Sequence, residues 1–271
     1  MGPASAADRY REYAPPPALA EHLVCLWTEA LPGATLPHSR RILPDACVDI
    51  VCVGDAPPIV AGPATAPATA LLPAGAVIVG ARLRPGRASA WLASAAWELR
   101  DRDAPLEAFW GLGARRLAER LPAAGEGRER LALLVEALVE RLDAVRPANA
   151  RVSGAVVALG RDPWVRVEAV AHAVGLGERQ LRRRFEDAVG YGPKTLQRIL
   201  RLQRLLLLGR EAGATAASLA ALAQAAGFAD QAHLARESRS LAGMPARALL
   251  EGSAGTLAMS DLFKAGRLEM S

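Results

Sequence analysis

The sequence predicts an α+β protein in two parts. Residues 1–146 read as a small β-barrel or sandwich followed by helices, and residues 151–252 as an all-α domain of two helix-turn-helix units joined by a linker helix. Three observations predict this. Short apolar runs rich in Val, Ile and Trp, broken by Pro and Gly, fill the span from Leu23 to Leu83. After Pro85-Gly86 the apolar residues recur at three- and four-residue intervals. A pattern of alanine, glycine and apolar residues near 171–190 then returns near 223–243.

A chain of 271 residues is long enough for two domains, and with 51% hydrophobic residues it is rich enough in apolar side chains to fold. Runs such as Leu131 to Val135 and Leu219 to Ala223 fall far short of the roughly 20 residues that cross a bilayer. The first residues, MGPASAADRYREYAPPP, lack the apolar core of a secretory signal, so a cytoplasmic protein with no membrane partner is expected. The three cysteines, Cys25, Cys47 and Cys52, form neither a disulfide framework nor a zinc spacing, and the four histidines are scattered. No metal, cofactor or catalytic constellation is implied, and the chain does not read as an enzyme.

In chain order, HLVCLWTEA, CVDIVCVG, PPIVAG and AVIVGARL have strand length and composition. ASAWLASAAWEL, LEAFWGLGARRLAERL and RERLALLVEALVERL carry helical periodicity. The last places Leu131, Leu134, Val135, Leu138 and Leu142 on one stripe, which either packs on its own domain or, across 128–142, makes a homodimer. RPANA, Arg146 to Ala150, follows as a linker.

From Val152 to about Leu250 the chain reads as helical. When VEAVAHAVGLGERQLRRRFEDAVGYGP is set beside LAALAQAAGFADQAHLARESRSLAGMP, Ala171 matches Ala223, Gly175 matches Gly227 and Leu176 matches Phe228. With one extra residue in the second turn, Leu181 matches Leu234, Phe185 matches Ser238 and Gly190 matches Gly243. Ala171 is small enough for a second helix to cross closely over the first, and Gly175 can take the positive φ that turns the chain. The unit is a helix-turn-helix, made twice.

Charge is distributed to match. Residues 151–252 carry 15 Lys and Arg against 9 Asp and Glu, while residues 1–150 carry 16 against 17, so the positive field belongs to the C-terminal part, where a polyanion is attracted. At about 100° per residue, Arg182, Arg179 and Arg183 share an outward arc of about 100°, opposite Leu181, Phe185 and Ala188, while Arg184 falls on the flank. Arginine's planar fork suits guanine O6 and N7 in the major groove, or a phosphate, and the flanking Arg184 suits phosphate. In the second unit Asp230 is a good N-cap, and Gln231, Ala232, Ala235, Arg236 and Arg239 lie opposite the side that buries Leu234 and Leu241. Arg236 and Gln231 are the groove candidates there, with Arg239 set for phosphate.

Residues Val165 to Leu250 resemble the AraC-type (AraC/XylS) transcription regulators. The first unit resembles theirs through Ala171, Gly175, Leu181, Arg183, Phe185, Gly190 and Pro193, and LQRILRLQRLLLLGR is similar to their linker helix. The second unit resembles the family's signature through AAGFADQAHLARES. The resemblance implies a regulator of transcription that binds a double-stranded operator and responds to an effector, with RNA polymerase as a further partner where it activates. It places Arg179, Arg182, Arg183, Gln231, Ala232, Ala235 and Arg236 at positions that face DNA. Ser238 stands where the family has a core Phe, and Gly243-Met244-Pro245 is one residue shorter than its Gly-x-x-Pro. Those departures point to a looser second unit, with readout carried mainly by the first.

The N-terminal part resembles a sensor domain of some members through RRILPDACVDIVCVG, VIVGARLRPG and WELRDRDAPLEAFWG. Trp27, Cys47, Asp49, Arg82 and Trp91 are its candidates for lining an effector site. The rival reading of Cys25, Cys47 and Cys52 is a thiol that senses oxidants, electrophiles or alkylation, or an enzyme with a DNA-targeting domain. Asp45 and Asp49 stand close enough to Cys47 to raise its thiol pKa, which disfavours that chemistry. The tail, residues 253–271, has no counterpart in the resemblance.

Overall fold

Strand alternation in the first part and helical periodicity in the second are both realised in the computed structural model, which describes residues 10–33, 37–125, 127–212 and 218–252. The C-terminal tail lies outside the described residues. Eight strands form among the described residues: β1 (Tyr10–Tyr13), β2 (Leu23–Ala30), β3 (His38–Ile42), β4 (Val48–Val53), β5 (Ile59–Ala61), β6 (Ala68–Leu72), β7 (Val77–Leu83) and β8 (Asp103–Pro105). Six of them make a sheet in the order β1-β2-β7-β4-β5-β8, and β3 pairs with β6 as a separate ribbon. Of the expected barrel or sandwich, the strands form open sheets and not a closed barrel. Closure needs the two edge strands to pair, and β1 and β8, four and three residues long, end opposite edges of the sheet.

Because successive strand side chains point to opposite faces, the sheet has two different sides. Leu26, Ile50, Cys52, Val79 and Ala81 join a core completed by the helices that follow. Cys25, Trp27, Val51 and Ile78 cluster separately, facing the β3–β6 ribbon side. Trp27 lies flat on the strand beside it. A Cβ at Gly80 would come within 2.3 Å of the indole ring, so only glycine fits there.

The helices of this part are α1 (Ala88–Leu92), α2 (Glu107–Trp110), α3 (Leu112–Arg120) and α4 (Gly127–Arg141). Helix α4 packs across β2 and β7. Its stripe residues Leu131, Leu134 and Leu138 are buried in the sheet's core, with Val135 and Leu142 packed against them. The stripe predicted for 128–142 is thus used within its own chain, the first of its two readings. Burial of those leucines leaves an outer face of charged residues with Val139 exposed among them.

The second part holds α5 (Ala150–Arg161), α6 (Val167–Ala173), α7 (Glu178–Val189), α8 (Pro193–Ala212), α9 (Leu219–Ala226), α10 (Gln231–Ala242) and α11 (Ala246–Gly252). Asn149 caps α5 by accepting the Val152 N–H. Asp230 caps α10 by accepting the His233 N–H at 2.6 Å, as its position predicts. Gly175 (φ +65°) and Gly227 (φ +97°) turn the chain inside the two units. Ala171, Leu181 and Phe185 are buried in the first unit, and Ala223, Phe228 and Leu234 in the second. Ser238 is fully buried in place of an aromatic ring, and its hydroxyl donates to the Met244 carbonyl at 3.0 Å, which satisfies it where the chain turns early.

The two parts meet over a broad contact. Helix α7 packs on α1 and on the 3-10 turn Ala96–Leu99. Leu43 and Ala46 join the core of the helical part. The guanidinium of Arg41 donates to the Ala242 carbonyl at 2.9 Å, and the Gln203 amide donates to the Pro44 carbonyl. The loop 62–67 between β5 and β6 lies under both outer helices: Pro63 underlies Gly190, which ends α7 at φ +99°, and Pro67 underlies Gly243, which ends α10 at φ +68°.

At Gly190 an added Cβ would meet Pro63 Cγ at 2.4 Å in a left-handed backbone. Gly190→Ala is expected to lower the unfolding free energy by about 1–3 kcal/mol in urea titration. Gly113→Ala, on α3 with nothing within 4 Å of the new methyl, is the control that should not destabilise.

Candidate functional site

Residues of α7 divide as the helical projection requires. Leu181, Phe185, Ala188 and Val189 are buried, while Arg179, Arg182 and Arg183 are exposed. Arg182 donates to Glu186 one turn on at 2.9 Å. Arg179 and Arg183 have no hydrogen bond or ion pair among the described residues, so their guanidinium forks stand open to solvent. The acids that could neutralise this face, Glu178 and Glu186, lie toward the ends of the helix.

Arg184 is placed differently. It is half-buried and lines a crevice with Ser89, Ser94, Arg146 and Asp187, between α7 and the N-terminal part. That position follows from α7 lying on α1, and it sets Arg184 apart from the outward arc.

On α10, Gln231, Ala232, Arg236 and Arg239 are exposed and Ala235 is half-buried, while Leu234, Ser238 and Leu241 point inward. His233 turns inward too. Its Nδ1 accepts the Ala229 N–H at 3.3 Å and its ring stacks edge-on against Phe228, so it fixes the turn rather than facing out. The linker helix α8 ties the two units together: Arg198 reaches from it to Glu237 at 2.6 Å and to Ser240 at 3.0 Å, both on α10.

Between the outer helices runs a cleft of about 780 Å³, lined by Arg179, Arg182, Lys194, Arg198 and, from the N-terminal part, Arg100, with Glu178 and Glu186 of α7 on the same wall. Lys194 and Arg198 of α8 and Arg100 of the N-terminal part escape projection of the recognition helices because other elements supply them to the cleft.

Residues 170–252 match the family described as "Helix-turn-helix domain". The C-terminal domain is an AraC-type helix-turn-helix domain. The chain that carries it is a DNA-binding transcriptional regulator. Residues 11–105 match a second family, "Domain of unknown function (DUF6597)", which spans the strands from β1 to β8. No curated protein matches the chain. The crystal structure of ToxT from Vibrio cholerae O395 is similar with a TM-score of 0.40 at 9% identity, covering 90% of this chain and 96% of that one.

Against the AraC-type domain, the sheet encloses a cavity of about 160 Å³. Its walls include Trp27, Cys47, Asp49 and Arg82, four of the five candidates for an effector site. The fifth, Trp91, is corrected: it is fully buried in the core on the opposite side of the sheet, next to Trp110, whose Nε1 donates to its carbonyl at 3.3 Å. Trp97 is 48% exposed and Trp110 belongs to the core, so Trp27 is the tryptophan that reaches the cavity.

Two walls were not legible in the sequence. Gln203 and Leu206 come from the linker helix α8, and Gly62 and Ala64 from the loop that underlies the recognition helices. Both require the docked tertiary arrangement, for which no local pattern exists.

The cavity's charged residues are paired in part. The buried Arg82 guanidinium grips Asp49 through Nε at 3.0 Å and through its terminal nitrogen at 2.9 Å, and approaches Asp45 at 3.4 Å. Burial pushes the Asp49 carboxyl upward against the pull of Arg82. Arg40 of β3 forms a two-pronged pair with Glu29 of β2, which joins the ribbon to the main sheet. Asp103 of β8, exposed at the edge of the sheet, has no such partner among the described residues, and desolvation raises its pKa.

All three cysteines are buried. Desolvation pushes the Cys52 thiol up to about 12, and raises Cys25 and Cys47 as well, with Asp45 adding to the rise at Cys47. Thiols held this way are poor nucleophiles at neutral pH. Iodoacetamide at neutral pH should leave Cys25, Cys47 and Cys52 unmodified in the folded protein and alkylate all three in urea, as read by mass spectrometry. An adduct on native Cys47 would restore the reactive-thiol reading.

Proposed function

We propose that the protein is a cytoplasmic, sequence-specific regulator that reads its operator with α7 and α10 and answers to a small effector held in the N-terminal cavity. What carries the first half is the purely cationic outward arc of α7, unpaired at Arg179 and Arg183, beside a second helix of the same design. Docked on one face of a duplex, the two helices enter successive major grooves, about 10 base pairs apart. Arg179, Arg182 and Arg183 read bases or clamp phosphates in one groove. Gln231, Ala232, Ala235 and Arg236 meet bases in the other, with Arg239 on phosphate. Lys194, Arg198 and Arg100 in the cleft add phosphate contacts to the intervening backbone, and binding weakens with salt accordingly. Arg184, held toward the crevice, contributes at most a flanking phosphate contact.

What supports the second half is the make-up of the cavity walls. A molecule in the cavity touches Gln203 and Leu206 of the linker helix and the loop under both recognition helices. An occupant that prefers one arrangement of those walls biases the spacing of the reading heads, since a ligand shifts an equilibrium only by its differential affinity for the two states. The desolvated thiols weigh against covalent sensing.

Arg183→Ala should weaken operator binding by about 1–3 kcal/mol in a mobility-shift titration if it contacts a base edge, and Arg184→Ala by clearly less. Unchanged binding by Arg183→Ala would remove it from the interface.

A further inference from the structure

The cleft between the outer helices holds more positive charge than the chain neutralises. Arg100, Arg179, Arg182, Lys194 and Arg198 line it against two carboxylates, those of Glu178 and Glu186. Arg182 is paired with Glu186, and Arg198 reaches Glu237 on α10. The side chains of Arg100, Arg179 and Lys194 have no hydrogen bond or ion pair among the described residues, and the one lining carboxylate left to them is Glu178. Like charges gathered in this way raise a positive potential that a polyanion relieves.

Two of these three cations belong to the AraC-type domain. Arg100 does not: it stands in the N-terminal part, on the turn between the 3-10 helix Ala96–Leu99 and β8. That turn is held from both sides. Leu99 before it is buried in the core of the sheet. Asp101 after it takes a left-handed backbone at φ +57°, which is uncommon outside glycine. Its carboxylate accepts the Thr65 N–H at 2.5 Å and the Thr65 hydroxyl at 2.6 Å, and its own N–H donates to the Pro63 carbonyl at 3.2 Å. Such a backbone persists only where its surroundings over-determine it, and residues of this kind gather at ligand clamps. Here three hydrogen bonds to the loop 62–67 present Arg100 to the cleft, and they occupy the Asp101 carboxylate with Thr65.

We propose that the N-terminal part is itself a DNA-binding element: Arg100 grips the sugar–phosphate backbone that crosses the cleft, and operator affinity depends on the turn 100–103 staying docked there. This rests on the reading of α7 and α10 as the DNA-reading helices and adds a means of control to it. The chain passes from one part to the other through residues 145–149, outside any helix or strand, so Arg100 reaches the cleft only while the parts are docked. An effector that loosens the docking weakens the complex by withdrawing one charge, with no change in the recognition helices themselves. By linkage, bound DNA strengthens the docking by the same factor. Phosphate contacts carry no sequence information, so the choice of operator stays with α7 and α10.

Filter-binding titration of the full-length protein over a range of salt tests this, on a duplex that wild type selects from a random pool and on an unselected duplex of equal length. Arg100→Ala is expected to weaken both by the same factor, about fivefold, and to lower the slope of log affinity against log salt by about 1. Arg102→Ala removes the same charge two residues on, outside the cleft, and should change neither. Thr65→Val removes the hydroxyl bond to Asp101 without altering charge, and should weaken binding about threefold in wild type but not in Arg100→Ala. Unchanged affinity and slope in Arg100→Ala, or equal losses in Arg100→Ala and Arg102→Ala, would overturn the clamp. So would a Thr65→Val loss that persists in full without Arg100. Arg183→Ala separates the two readings: if it loses the selected duplex while Arg100→Ala keeps it, the reading helices stand and only the clamp falls. A wild-type protein that selects no duplex removes both.

Discussion

The contact on which the rest depends is the seating of the loop 62–67 beneath Gly190 and Gly243. Each glycine ends a recognition helix in left-handed backbone, and each presents bare backbone to a proline of that loop. A Cβ at Gly190 would clash with Pro63, and at both positions the left-handed backbone favours glycine. The two helices that carry the outward arginines are therefore fixed at the same ends to one short segment. The loop is continuous with β5, whose Ile59 and Ala61 wall the cavity. The cavity and the seats of the two outer helices are separated by a single strand and its loop.

Helix α8 makes the second connection. Its apolar residues Leu196, Ile199 and Leu202 bind the first unit, and Leu205 enters the core of the second. Gln203 and Leu206 leave that pattern to meet the N-terminal part, at the Pro44 carbonyl and at the cavity. A packed helix transmits displacement because protein interiors are close-packed and repack in discrete steps. The arrangement gives an occupant of the cavity two routes to the reading heads, one through α8 and one through the loop.

Much of the helical part could be read from residues alone. Gly175 and Gly227 mark turns that need positive φ, and the burial of Leu181, Phe185 and Leu234 follows from period 3.6, so the outward arc of Arg179, Arg182 and Arg183 was legible before any fold. The same projection put Arg184 on the flank, and docking on α1 explains why it is half-buried. Where the chain departs from the family, Ser238 shows why a departure is tolerated: its hydroxyl finds the carbonyl that the shortened turn brings near. The strands were legible as runs, but not their order, because β7 joining β2 to β4 depends on pairings across more than twenty residues that no local pattern encodes. Trp91 illustrates the limit. Its composition suits a pocket as well as a core, and only the sheet's two-sidedness sends it to the side opposite Trp27. Likewise the apolar stripe of α4 is equally suited to a partner chain and to its own sheet, and the nearby β2 and β7 claim it.

The central claim is that both recognition helices of one chain read DNA together, held at a fixed spacing. Hydroxyl-radical footprinting of the intact protein on its operator tests it most directly, comparing wild type with Arg183→Ala and Arg236→Ala. The account predicts two protected segments on one face of the duplex, about 10 base pairs apart, with each variant losing protection mainly over its own segment. A single protected segment, or a uniform footprint that both variants weaken evenly, would contradict it.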